Sequence, residues 1–195
     1  MPDQRPITVL TTSVEPYQDI IQRFSSIQKL THTIAYCLRF YRNVAKCPKT
    51  YGPLSIHEIQ SATTTVIKIV QTHEFAEDIT NITNRNSRYK VRLRALNPFL
   101  DERGLLRVGG RIAHANITPD AKHPIILPAN HHITKLIIQQ HHINQFHAGA
   151  QTTLNAIRQK FWPIDGIKGV KRHPNVHHLS QDKTNFAHVS NGKPS

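Results

Sequence analysis

The sequence predicts a mainly α chain with a small β-hairpin: an N-terminal α-hairpin, then a β-ribbon, then a second pair of helices and a disordered C-terminal tail. Three observations carry this reading. Apolar residues recur at steps of three and four over 16–45 and again over 56–80, the period of a helix with one buried face. Between 104 and 128 two short apolar runs are bounded by glycine and proline, as strands joined by a reversal are. Beyond Lys171 the apolar period stops and the chain becomes rich in His, Ser and Asn, a composition that buries no core.

Taken in order, residues 1–14 are polar and Thr-rich and are expected to form a loose, disordered tail. A helical connector follows over 15–84. Its first helix, about 16–45, opens at Pro16, whose missing N–H costs nothing in a first turn. Ile20, Ile21, Phe24, Ile27, Leu30, Ile34, Cys37, Leu38 and Tyr41 form its apolar stripe, with a break expected near Thr31-His32-Thr33. The opposite face carries Arg23, Lys29, Arg39 and Arg42. A linker over 46–53 is set by Pro48, Gly52 and Pro53. Ser55-Ile56-His57-Glu58 then matches a capping box, in which a Ser hydroxyl and a Glu carboxylate three residues on satisfy two orphan N–H groups. The second helix, about 56–80, carries Ile59, Ala62, Val66, Ile69, Val70 and Phe75, and Asn81 to Asn86 ends it.

Residues 85–128 form a basic segment containing the β-hairpin. Asn97 to Gly104 reads as a turn, Leu105 to Val108 as a strand, Gly109-Gly110 as a tight reversal and Pro124 to Pro128 as the returning strand. Its arginines read either as a solvated face or as a phosphate-contacting one. Residues 129–172 form the second helical unit. Asn130 caps a helix from His131 to about Ile143, with Ile133, Leu136, Ile137 and Gln140 on one stripe. A turn through Phe146-His147-Ala148-Gly149 leads to a last helix, about Ala150 to Phe161, stopped by Pro163 and Gly166.

With 25 Lys+Arg against 12 Asp+Glu the formal charge is +13, and the chain favours a polyanionic partner, nucleic acid above all. The candidate contacts are Arg88, Lys90, Arg92, Arg94, Arg107 and Arg111, together with Arg158, Lys168, Lys171 and Arg172. No apolar run is long enough to cross a bilayer, so no membrane partner is expected. The start of the chain lacks a basic stretch followed by an apolar one, and a secretory signal is not expected. Two cysteines, Cys37 and Cys47, make no disulfide framework and fit a reducing, intracellular compartment, without distinguishing nucleus from cytoplasm.

Enzymatic function is not expected. After Glu102 there is no glutamate, and only Asp120, Asp165 and Asp182 remain to hold Mg²⁺, too few for two-metal phosphoryl transfer. Glu74, Glu77 and Asp78 sit at helical spacing and read as a solvated face. No Gly-rich phosphate loop, Gly-x-Ser-x-Gly or His-Glu-x-x-His is present, and no small-molecule substrate is implied.

His142 and His147 are the candidate metal ligands. Five positions apart they do not share a helix face, but one on a last turn and one in the following loop can converge on an ion. Structural zinc takes four ligands in a tetrahedron, so two imidazoles are half a site. The run Leu136 to Ala150, with Leu154, Ile157 and Phe161-Trp162, resembles the His-His-Cys-Cys zinc-binding domain of retroelement integrases. Leu96 to Asp101, Gly104 to Arg111 and Lys122 to Pro128 resemble the segment just before that domain in BEL/Pao-type LTR retrotransposon polyproteins. The region 16–80, with Phe24-Ser25-Ser26 and Cys37-Leu38-Arg39-Phe40, is similar to the connector of that family.

The resemblance implies an integrase-type zinc-binding domain over 129–172, Zn²⁺ as its metal, DNA as its partner and self-association into a homo-oligomer. It places the catalytic core, with its Asp-Asp-Glu triad, downstream. The chain departs from the pattern in one respect: the family's Cys-x-x-Cys after the Phe-Trp is replaced by His177 and Ser180. Read one nucleotide later with permitted codons, 173–183 yields Ile-Arg-Thr-Cys-Ile-Ile-Cys-Leu-Arg-Thr, which restores the pair. A frame slip near Arg172 is therefore expected, making 173–195 a frame-shifted tail. Without the thiolates zinc is expected to bind weakly or not at all, with His177 as a substitute ligand. The alternative to such a rescued site, and the reading favoured for this chain, is that His142 and His147 are surface residues of a helical hairpin held by Leu136, Ile137, Leu154, Ile157 and Trp162. The competing reading is a domesticated basic adaptor that binds nucleic acid through Arg88–Arg111 and Lys168–Arg172 without metal.

Overall fold

The computed structural model describes residues 20–45, 49–84, 91–110 and 118–172. The expected tails over 1–14 and 173–195 lie outside these residues, as does the expected frame slip with His177. The described chain is mainly helical with a small four-stranded sheet.

Helix α1 (Ile27–Val44) runs unbroken through Thr31-His32-Thr33. The Thr31 hydroxyl donates to the Ile27 carbonyl at 2.9 Å and the Thr33 hydroxyl to that of Lys29, so both sit inside the helix with their polar atoms satisfied. The interruption comes earlier. Ser26 is extended (φ −141°, ψ 132°), and the Phe24 carbonyl accepts from His132 Nε2 at 2.7 Å. Helix α2 (Ile56–Glu74) starts at the expected capping box, the Ser55 N–H donating to Glu58 Oε2 at 2.9 Å and the Glu58 N–H to Ser55 Oγ at 3.3 Å.

Glu58 does more than cap. Arg39, expected on the solvent face, is buried and forks onto it, Nε to Oε1 at 2.8 Å and NH2 to Oε2 at 2.6 Å. The same guanidinium donates to the Gly52 and Pro53 carbonyls and so holds the linker. These Arg39 bonds, followed by the Ser55 N–H, keep the Glu58 carboxyl well below the usual carboxylate range.

The expected helix over 56–80 is two helices. Phe75 leaves helical geometry (φ −121°, ψ 27°) before α3 (Ala76–Thr83). Its ring is buried with Leu93, Leu106 and Ile126, a second small core that a straight helix would not reach. Asp78, expected to be solvated, is 1% exposed. A four-residue helix α4 (Val91–Arg94) leads into the sheet.

The hairpin expected over 104–128 is part of that sheet. Strand β1 (Phe99–Leu100), read as turn from sequence, pairs antiparallel with β2 (Leu106–Arg107), which pairs antiparallel with β3 (Ile125–Leu127). A helical turn, α5 (Pro119–Lys122), with Thr118 as its cap, precedes β3. Gly109 serves close approach: a Cβ there would collide with the Asn97 carbonyl oxygen, while the Gly109 N–H donates to the Leu96 carbonyl.

Helix α6 (His132–Asn144) is capped by His131, not Asn130; His131 Nδ1 accepts from the Ile133 N–H. Burial lowers the His131 pKa, which favours the neutral ring whose Nδ1 can accept. Helix α7 (Ala150–Arg158) ends before Phe161, which belongs to β4 (Phe161–Pro163) rather than to the helix. Strand β4 runs parallel to β3, Ile125 facing Phe161 and Leu127 facing Pro163, with α6 and α7 as the crossover such strands require. Helix α8 (Gly166–Arg172) follows. Strand β3 is apolar throughout because both faces are covered: Ile125 and Leu127 join the main core, Ile126 the second. The main core draws Leu30 from α1, Val66 and Val70 from α2, Ile133 and Ile137 from α6, Leu154 and Ile157 from α7 and Val170 from α8.

Candidate metal and nucleic-acid sites

His142 lies on the last turn of α6, on the face that carries Ile138 inward, and is 0% exposed. Its burial corrects the expectation of a surface residue. Neither ring nitrogen has a hydrogen-bond partner among the described residues. The chain then reverses through two consecutive left-handed residues, Phe146 (φ 50°) and His147 (φ 60°), with the His147 N–H donating to the His142 carbonyl at 3.0 Å. Non-glycine residues reach this region at a cost of roughly 1–2 kcal/mol each, so the surroundings must hold them there. The Ala148 N–H donates to Gln145, and the Thr153 hydroxyl donates to the Ala148 carbonyl from the first turn of α7. Through this turn the His147 ring comes edge-on to that of His142, centroids 4.9 Å apart and planes at 74°.

The turn thus brings together the two imidazoles that sequence spacing had only allowed to converge. The donor type and the unpartnered nitrogens of His142 fit zinc. The donor number does not: among the described residues no group of three or more His, Cys, Asp or Glu is placed to hold a metal. His141, next to the pair, instead faces Phe161 edge-on, and burial followed by the Lys160 charge lowers its pKa.

The candidate nucleic-acid contacts are scattered. Arg94 is exposed at the end of α4, and Lys168 and Lys171 are exposed on α8, whose Val170 is buried. Arg158 lies over the Trp162 ring, 4.4 Å from its centroid. Arg107 is engaged within the fold, Nε on Asp101 Oδ2 at 2.6 Å and NH1 on Asp120 Oδ1 and the His123 carbonyl. Arg92 falls within α4 and Arg172 within α8. Arg88, Lys90 and Arg111 lie outside the described residues.

Lys68 and Lys160, which the sequence did not single out, join Arg103 of the expected basic segment in a second group of cations. One face of α2, from His57 through Ser61 and Thr64 to Lys68, lines a furrow together with Arg103 of the β1–β2 turn and with Lys160. The signal for it is weak in the sequence: Lys68, Arg103 and Lys160 belong to three distant segments, and only the sheet brings them to one edge.

No known protein family, curated protein or solved structure matches the chain.

Proposed function

We propose that the chain is a non-catalytic portion of a BEL/Pao-like retrotransposon polyprotein, joining the helical connector to a degenerate integrase-type zinc-binding domain whose ancestral role is DNA integration and nucleic-acid binding. The observation that carries this reading is the His142–His147 pair. A histidine with two unpartnered nitrogens, wholly buried at a helix end, next to a second histidine on a strained left-handed turn, is what remains when half of a tetrahedral clamp is kept. His142 and His147 are the side chains that would ligate zinc. When bound by four donors such an ion supplies folding free energy, with apparent values of about 10–16 kcal/mol in small zinc-finger peptides. The formal charge of +13 supports the nucleic-acid part of the reading.

Two measurements test it. The purified chain is titrated with a labelled DNA duplex at several salt concentrations. Binding that weakens steeply with salt is expected, whereas no binding at low salt overturns the DNA-associated role. Sequencing the gene tests the ancestry. The codons of Val176 and Leu179 are expected to end in G, since any other third base removes the shifted cysteines and with them the frame slip.

A further inference from the structure

The furrow along α2 is lined by side chains that can donate hydrogen bonds, and its charged groups are mostly cations. Two adjoining hollows, of about 460 and 370 Å³, share Gln60, Thr64 and Arg103 and so form one continuous groove. Its α2 wall presents His57, Gln60, Ser61, Thr64 and Lys68, residues at three- and four-step spacing and therefore on one helix face. The hydroxyls of Ser61 and Thr64 and the amide of Gln60 have no partner among the described residues, unlike Thr63 and Thr65, whose hydroxyls bond back to Ile59 and Ser61. One carboxylate, Asp120, borders the groove, and it is tied to Arg107.

Arg103 is mounted rigidly in the facing wall. Its N–H donates to Asp101 Oδ1 at 2.9 Å, and its carbonyl accepts from Lys68 Nζ at 2.8 Å. The next residue, Gly104, holds a left-handed φ of +74° that the tight turn requires, and its N–H donates to the Asp101 carbonyl. The backbone is thus held on both sides, while the guanidinium makes no hydrogen bond or ion pair among the described residues. A cation whose backbone is ordered before a ligand arrives loses less entropy on binding. Lys160 adds a third charge from the connection between α7 and β4.

We infer that this furrow binds the sugar–phosphate backbone of nucleic acid, Arg103, Lys68 and Lys160 facing the phosphates and the α2 hydroxyls donating to their oxygens. The phosphodiester suits the lining because its free oxygens only accept, and the cations, hydroxyls and amide of the groove can all donate to them. The inference rests on the DNA-associated reading above and adds the surface that carries it.

The test uses the full chain and a labelled duplex of mixed sequence, titrated over a range of salt. Arg103→Ala/Lys160→Ala is expected to make the log–log salt slope shallower by about 2, one phosphate contact for each side chain. Lys29→Ala/Lys135→Ala, which removes the same charge away from the furrow, is expected to change the slope little. Thr64→Glu places a carboxylate in the groove while breaking no side-chain hydrogen bond among the described residues, and is expected to weaken binding with unchanged thermal unfolding. If the wild type binds DNA but the furrow variants keep its slope, the inference falls while the DNA-associated reading stands. If the wild type binds no DNA, both fall. If inorganic phosphate at equal phosphate concentration competes as well as unlabelled DNA, the furrow is a free-phosphate site and the inference is overturned.

Discussion

At His142 the two readings of the histidine pair make opposite predictions about stability. A buried imidazole with neither nitrogen bonded loses its hydration without compensation, at about 1–3 kcal/mol for an unmade hydrogen bond. Leucine would fill the site with apolar atoms. His142→Leu is therefore expected to leave stability unchanged or raise it by about 1 kcal/mol in urea unfolding, and zinc is expected to raise the Tm of the wild type little. A large rise on adding zinc, reversed by chelator and lost in His142→Leu, would mean that further donors complete the site. Arg39 teaches a related lesson at the same scale. Its helix position alone assigns it to solvent, yet a carboxylate nineteen residues away draws it inside.

Among the elements, β2 and β3 are held together by a helix. Arg107 faces Ile125, so Leu106 and Ile126 oppose each other one step along the ladder. Between them lies the buried side chain of Gln71 from α2. Its Nε2 donates to the Leu106 and Ile126 carbonyls at 2.9 and 2.7 Å, and its Oε1 accepts from the Leu106 N–H at 2.8 Å. Strands of two and three residues form few ladder bonds of their own, and the amide replaces those they lack. Gln71→Leu keeps the bulk but removes three hydrogen bonds to buried backbone. The expected loss is about 3 kcal/mol, read as a lower urea midpoint. An unchanged midpoint would mean that the strands pair without the bridge.

For the molecule as a whole, the shifted carboxyls and imidazoles share one sign, all being lowered, while their partners Arg39 and Arg107 are raised and stay charged throughout. Glu58 lies well below the usual carboxylate range, held first by Arg39. Asp101 is also lowered: burial pushes it up, but its bonds from Arg107 and the Leu105 and Arg103 N–H groups outweigh that. His131 and His141 are lowered, burial being the largest cause in both. A group with a depressed folded-state pKa contributes stability above its unfolded value and loses that stability as pH falls through the folded value. The histidine contribution therefore begins to fade below about 6.5, and the carboxylate contribution below about 4. Tm is expected to fall from neutral pH to 5 and to fall further below 4. Scanning calorimetry across that range checks it, and a Tm that rises on acidification would contradict the assignment.

Local order was readable from local chemistry: the capping box of Ser55 and Glu58, the apolar periods of α1, α2 and α6, and the apolar run Ile125–Leu127 depend on neighbours a few residues away. The close approach of His142 and His147 was legible as an option, since a helix end and a turn are local too. What tertiary structure alone decided is every feature that joins distant segments. Phe75 breaks a helix to reach a core formed with Leu93, Leu106 and Ile126. Phe161 leaves the helical pattern to pair with Ile125, and Gln71 replaces bonds between strands far along the chain. Periodicity encodes which face is buried. It carries no information about which strand, carbonyl or carboxylate will be opposite, because that partner is supplied only when the chain packs.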